Sequence, residues 1–408
     1  MPTRLEDVPA ELITDFDITD PALADPHDAL AVLQEQTPVA WSPLHGGHWI
    51  VTRYDDVHAV VRDWETFSNT QNQVPVVAPV PSIPLQIDPP EHKLYRQILN
   101  PLFNPGRMRA LEEAIRHTTT SLIDGFAGRG RCDVVQELAH PLTMATFVSL
   151  MGWPLDDGER FTEWTEAILV GKPGAPAEED AAFRQKANEE VFAYFTGVIA
   201  DRRGGDGQDP TSQIVNAEFD GRPLTDDELL RMFWLLMLGG LHTVRGVLGL
   251  GLIHLVRNPQ ERQRLLDDPS LLGGAVEELL RVEAPVAAGR VVTRETTLQG
   301  VTLQPGDMVL VMLSAANRDP REFPAPDELR IDRTPNRHLA FSGGPHRCVG
   351  SHLARIELSV ALAEVLRRIP DFELDPEHTP ELHHSQVRGI NSLRIRFTPR
   401  APTAVERH

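Results

Sequence analysis

Apolar residues along this chain recur mostly at helical spacing, and the stretches that alternate are short. Gly47-His48-Trp49-Ile50-Val51-Thr52-Arg53 reads as a strand, and Tyr54 to Asp63 as a short helix. From Thr66 to Pro90 the prolines at 75, 79, 81, 84, 89 and 90 forbid a regular helix. That leaves a long loop of the kind that usually carries function. Helical patterns return from Glu91 to Arg203. Thr225-Asp226-Asp227-Glu228 is a capping box, and no proline follows until Pro259. The helix it opens could run about 30 residues, roughly 45 Å at 1.5 Å per residue. Its middle, Trp234 to Thr243, is apolar nearly all round and is therefore expected to be buried. A helix over Leu271 to Glu283 follows, then short strands at Val291–Thr293 and Met308–Met312. Beyond a proline-rich, charged meander come a glycine-rich run from Phe341 to Gly350, an amphipathic helix to about Arg368, and an alternating segment from Leu393 to Thr398. Helices outnumber strands, and no convincing boundary divides residues 1–408. The expectation is one mainly α domain, with an extended, proline-punctuated segment over about 1–45 packed on it.

Composition narrows the function classes. The 408 residues carry 39 Lys+Arg against 59 Asp+Glu, a net charge of −20, which argues against a nucleic-acid partner. Two cysteines, Cys132 and Cys348, exclude a disulfide framework, a four-cysteine zinc site and an iron–sulfur cluster held by this chain alone. The start, MPTRLEDVPAELITDFDITD, has neither a basic flank nor an apolar core of the secretory kind. No run of 18 apolar residues suggests a membrane span. A cytoplasmic location is expected.

Cys348 is the sharpest chemical feature. It follows Gly343 and Gly344 and precedes Gly350 and a helix. Glycines let backbone approach a flat ligand closely and let N–H groups point at sulfur. The helix start adds partial positive charge, which favours thiolate, the form a soft metal binds.

These residues resemble the cytochrome P450 family. Its heme-binding signature, Phe-x-x-Gly-x-(His/Arg)-x-Cys-x-Gly, is matched by Phe341, Gly344, His346, Cys348 and Gly350. Glu278-Leu-Leu-Arg281 is similar to the family's Glu-x-x-Arg pair, with Arg333 as third member of that structural network. His92-x-x-x-Arg96 resembles the helix that binds heme propionates, and Gly239-Gly240-x-x-Thr243 resembles the oxygen-binding groove. The motifs span nearly the whole chain, and the similarity is to the camphor-hydroxylase type of bacterial member. It implies a single P450 fold with the long helix over heme b (iron protoporphyrin IX), a small β-rich subdomain, and Cys348 as axial ligand. His92, Arg96, Arg290 and His338 are implied partners of the propionates. Cationic side chains suit that task, since His92 and Arg96 share a helix face and Arg binds carboxylates in a bidentate way.

The resemblance further implies a monooxygenase in which Thr243 hydrogen-bonds to oxygen at the iron and Gly239 and Gly240 leave room for it. One departure stands out, because the acid that usually precedes the threonine is His242 here. Histidine can carry protons near neutral pH. It could equally point away, bond to a carbonyl and leave proton delivery to water. Substrate-facing positions implied by the resemblance are Val80, Leu85, Leu235, Leu238, Val286, Ala287, Gln386 and Val387. Most are small or apolar, which fits a compact hydrophobic substrate such as a terpenoid or small aromatic. Gln386, or Arg388 beside it, could supply a polar anchor. The chain holds no flavin or nicotinamide domain, so NAD(P)H electrons are expected through a small iron–sulfur ferredoxin and its reductase. Arg62, Lys93, Arg96, Arg107 and Arg347 are candidate docking residues on a protein expected to be monomeric. Rival readings are a peroxide-driven heme oxidase, a heme-based sensor, and a tailoring oxidation of a larger substrate.

Overall fold

A computed structural model describes residues 1–20, 23, 25–76 and 80–401. Helices dominate it. The capping box forms as the sequence predicts: Glu228 N–H donates to Thr225 Oγ1 at 3.3 Å, and Thr225 N–H to Glu228 Oε2 at 2.7 Å. The helix it starts is interrupted at His242, whose φ of −110° separates Asp226–Leu241 from Thr243–Arg257. Residues 226–257 together are long and apolar enough to cross a membrane, but they are mostly buried inside the protein. Here they serve as the core of the helical layer, packed against Ala177–Arg202, His140–Met151 and Ser351–Arg368.

The β structure flanks this layer. A five-stranded sheet runs in the order Val39–Ser42, His48–Val51, Met308–Met312, Ala287–Val292 and Phe67–Ser68. Only the pairing of Met308–Met312 with His48–Val51 is parallel, with Val309 opposite Trp49. Two further pieces matter for the site. Arg394–Arg396 pairs with Arg131–Asp133, and Glu381–His383 forms a hairpin with Gly389–Ser392.

Two expectations need correction. The first 45 residues are not simply extended, because Pro26–Gln36 is a helix whose N-cap Asp25 accepts from His27 N–H at 3.0 Å. Aspartate followed by proline at the first helical position is a start signal, and Leu30 is buried beneath the helix. The second is the strand Arg131–Asp133 inside the helical region. Its three residues are too few to show a period.

Glu278 and Arg281 lie on the helix Leu272–Val282, both with no exposure, and Arg281 meets both carboxylate oxygens at 2.8 Å. Arg333 reaches across from the meander to the same oxygens at 3.0 Å. The carboxylate thus ties a helix to the loop that leads into the cysteine run.

Candidate functional site

Between the central helix and the cysteine loop lies a cavity of about 780 Å³. Its floor begins with the loop 341–350. Cys348 N–H donates to Phe341 O at 3.0 Å, closing the loop on itself. Gly344 has φ +64°, and a Cβ there would strike Val61 O, so the loop rests directly on helix Tyr54–Arg62. Arg355 stacks over the Phe341 ring at 4.5 Å and pairs with Glu277 at 2.6 Å, which holds that ring in place. Cys348 is exposed to the cavity. Burial among protein groups pushes its thiol up, whereas the Gly350 N–H and the charges of Arg96, Arg347 and Arg355 pull toward thiolate. The helix Ser351–Arg368 starts immediately after, adding its positive end.

One side of the cavity gathers cationic and imidazole groups. His92 and His346 have ring centroids 4.3 Å apart. Among the described residues neither His346 nitrogen has a hydrogen-bond partner, nor does His92 Nδ1. Arg290 is 3% exposed and, among the described residues, donates only to the neighbouring Gly289 carbonyl at 2.6 Å. Arg96 donates to Asn100 Oδ1 and to Arg347 O. Among the described residues neither arginine makes an ion pair. Asp88 lies 3.7 Å from His346 but accepts from Ser68 Oγ and Asn69 N–H. Burial lowers His92 to about 4 and His346 to about 2, with the neighbouring arginines adding to both shifts. Burial also brings Arg290 down to about 10. Buried donors without acceptors are costly, and this cluster fits a group bearing carboxylates.

His338 does not join them. Its Nε2 bonds Glu277 at 3.0 Å and its Nδ1 accepts from Ala340 N–H at 3.2 Å, so both nitrogens are committed outside the cavity. The fourth place beside His92, Arg96 and Arg290 is taken by His346.

The opposite wall is the central helix. Leu235, Leu238, Gly239, Gly240 and Thr243 all line the cavity. The two glycines do different work. A Cβ at Gly239 would meet nothing within 4 Å, so the missing side chain is cavity space. A Cβ at Gly240 would run into the ring of Phe147. Thr243 Oγ1 donates back to Gly239 O at 3.3 Å, a long bond that leaves the hydroxyl free to turn. His242 is 1% exposed, does not line the cavity, and has no partner on either nitrogen among the described residues. It packs edge-on against His383, centroids 4.8 Å apart. Of the two readings of His242, the ring points away from the cavity, but the carbonyl bond of that reading does not form.

Of the substrate-facing positions, Leu85, Leu235, Leu238, Val286, Ala287, Gln386 and Val387 line the cavity. Val286 bridges Val387, and Ala287 N–H donates to Gln386 O at 2.9 Å, so these four close one end together. Val80 is 37% exposed and lies off the lining. Gln386 is no free anchor: its amide donates to Asn72 O at 2.6 Å and Ala287 O at 2.8 Å. Arg388 pairs with Glu283 instead of facing inward. Sequence reasoning missed Phe147, His383 and Glu357, which also line the cavity. Burial raises the Glu357 carboxyl well above its ordinary range, against a hydrogen bond from Thr146 that opposes the shift. The signal for it was a carboxylate on the buried face of the last helix.

Comparison with known proteins follows this geometry. Residues 181–392 match the family model described as Cytochrome P450. "Probable cytochrome P450 127A1" of Sinorhizobium fredii is 36% identical over 403 residues, 95% of each chain. "Steroid C26-monooxygenase" of Mycobacterium tuberculosis is 36% identical over 354 residues, 86% of this chain and 88% of its own length. Among solved structures, CYP101J2 superposes with a TM-score of 0.86 at 31% identity, covering 97% of this chain and 100% of the other.

Proposed function

Because this chain belongs to the cytochrome P450 family of heme-dependent monooxygenases, we propose that it inserts one oxygen atom from O2 into a small hydrophobic molecule, a terpenoid or small aromatic. Family members use heme b, with electrons from NADPH through redox partners. We assign that role here to a small ferredoxin and its reductase, docking on the face that carries Arg62, Lys93, Arg96, Arg107 and Arg347. The protein is proposed to act in the cytoplasm, as a monomer and a single heme domain.

The observation that carries this reading is one cavity shared by a cysteine sulfur, an unpaired cationic cluster and a glycine-widened helix wall. When bound, heme supplies a redox-active iron at which dioxygen is activated. The chain supplies the rest. Cys348 would offer its sulfur as the iron ligand, with the Gly350 N–H and the charges of Arg96, Arg347 and Arg355 pulling it toward thiolate against its burial. His92, Arg96, Arg290 and His346 hold the propionates by charge-assisted bonds. Phe341, packed by Arg355, keeps the cysteine loop rigid. Gly239 leaves room above, and Thr243 turns its hydroxyl from the Gly239 carbonyl to hold a proton at Oγ1. Leu85, Leu235, Leu238, Val286, Ala287 and Val387 orient an apolar substrate and exclude water, while Gln386 stitches the closing loop.

The test is an optical titration of the ferric, heme-loaded protein with terpenoids, small aromatics, fatty acids and steroids. A low-to-high-spin change confined to compact apolar ligands is expected, followed by turnover with NADPH, ferredoxin and reductase. Spin change with steroids alone, in line with the similarity to a steroid C26-monooxygenase, would replace the compact substrate by a larger one. Turnover with peroxide alone, and none with ferredoxin, would replace the oxygen-dependent reading.

A further inference from the structure

Behind the cavity, three buried side chains face one another with unmet hydrogen-bonding capacity. His242, Arg245 and His383 are 1%, 1% and 6% exposed. Among the described residues, both nitrogens of His242, Nε2 of His383, and Nε and Nη2 of Arg245 have no partner. The two rings share the space over Gly389, where any Cβ would collide with His383 and come within 3.1 Å of His242 Cε1. Buried polar groups in such number call for bridging water.

The cluster also connects two compartments. On one side Arg245 Nη1 donates to Glu166 Oε1 at 2.7 Å, and the Glu166 side chain is 46% exposed to solvent. On the other side His383 and Asn391 line the cavity that Thr243 also lines. His383 Nδ1 lies 2.8 Å from Asn391 Oδ1. A carbonyl oxygen only accepts, so Nδ1 carries the hydrogen and Nε2 is bare.

We propose that His242 and His383 form a two-imidazole proton relay from the Glu166–Arg245 surface into the cavity that Thr243 lines. This rests on the monooxygenase reading above. A proton from water at Arg245 adds to the bare nitrogen of His242, and the N–H bond on the opposite nitrogen of that ring breaks. That proton reaches His383 Nε2 through a bridging water and forms a new N–H bond. His383 then releases its Nδ1 proton to cavity water, and the Asn391 amide turns to donate to the bared nitrogen. One proton enters from solvent for each that leaves, both rings begin and end neutral, and no electrons move. Exchange with water restores the starting tautomers.

The electrostatics agree with rings that rest neutral. Burial, then Arg245 and His383, hold His242 well below its ordinary value. Burial lowers His383 to about 4, with Arg245 and His384 adding to the shift and Asn391 and Glu166 opposing it. His140, on the far side, feels the same Arg245 and Glu166.

His383→Phe keeps a ring in place and removes both nitrogens. With the ligand that gives the largest spin change, product formed per NADPH consumed should fall about a hundredfold, the low end of what positioned proton transfer contributes. The solvent isotope effect should rise. An independent readout uses the carbon-monoxide complex labelled with 15N-histidine. His383 should carry its hydrogen on Nδ1, and the ring N–H of His242 should exchange with solvent faster in the unmodified protein than in His383→Phe. Unchanged coupling and isotope effect in the variant would overturn the relay, as would a His242 N–H protected from exchange in the unmodified protein. If the unmodified protein oxygenates nothing, the monooxygenase reading fails, and the exchange measurement still decides the relay.

Discussion

Replacing Glu278 by Gln keeps the side-chain volume and removes one charge from a network that water does not reach. In the native protein Oε1 accepts from Arg281 Nη2 at 2.8 Å, Arg330 N–H at 2.9 Å and Arg333 Nε at 3.0 Å. Oε2 accepts from Arg281 Nε at 2.8 Å and Asn336 Nδ2 at 3.2 Å. A glutamine keeps one acceptor and turns an N–H2 group toward donors that are already there. Arg281, with no exposure, then holds a charge without a counter-ion. Breaking a buried pair from one side costs about 3–5 kcal/mol, a large part of a total stability of about 5–15 kcal/mol. The assay is urea unfolding of heme-loaded protein followed by circular dichroism, with heme retention measured in parallel. The double variant Glu278→Gln/Arg281→Met removes one of the two charges left without the carboxylate, Arg333 keeping the other, so its loss should be smaller than the sum of the two single losses, with a coupling of about 1–3 kcal/mol. A loss under about 1 kcal/mol for Glu278→Gln, or strict additivity in the double variant, would refute the reasoning.

Other outcomes follow from particular contacts. Gly239→Ala should hold or raise stability by about 0.5–1 kcal/mol, because its methyl meets open cavity, but should weaken ligand-induced spin change. Gly240→Ala should lose about 1–3 kcal/mol by driving a methyl into Phe147; equal effects of the two in thermal unfolding would contradict the assignment of the two faces. Glu283 is held at about 2 by Arg388 and His254 against its burial. Its folded value lies below the unfolded one, so its contribution is present above about pH 4.5 and is lost as pH falls toward 2, an effect on the order of 3 kcal/mol. Glu283→Gln should therefore flatten the acid limb of a stability-versus-pH curve, and an unchanged limb would count against the pairing. Thiol titration of heme-free protein should find one reactive group, Cys348, since its sulfur faces the cavity and Cys132 is buried. Loading heme should abolish that reaction; two reactive thiols in either form would contradict the site.

Much of the site was legible because its chemistry is local in sequence. The glycines around Cys348, the capping box at Thr225, and the i, i+3 pair of Glu278 and Arg281 each show in a few adjacent residues, and all form. What escaped depends on distant contacts or on orientation. His338 and His346 are both imidazoles near the cysteine loop, and only the position of Glu277 shows which one is already bonded. Val80 faces outward despite its apolar surroundings. The direction of His242 follows from the interrupted helix and from a hairpin far along the chain that brings His383 against it. The amide of Gln386 is spent on Asn72 and Ala287, a bond that no spacing announces. The N-terminal helix was readable from Asp25 and Pro26 but was outweighed by the surrounding prolines.

The most direct test of the central claim is single-turnover oxidation under 18O2. Heme-loaded protein is reduced through ferredoxin in the presence of the compound that gives the strongest spin-state change, and the product is analysed by mass spectrometry. The account predicts one 18O atom in each product molecule, no label from H2 18O, and no product from Cys348→Ala prepared in parallel. Product oxygen derived from water, or labelled product from the protein lacking the Cys348 sulfur, would contradict it.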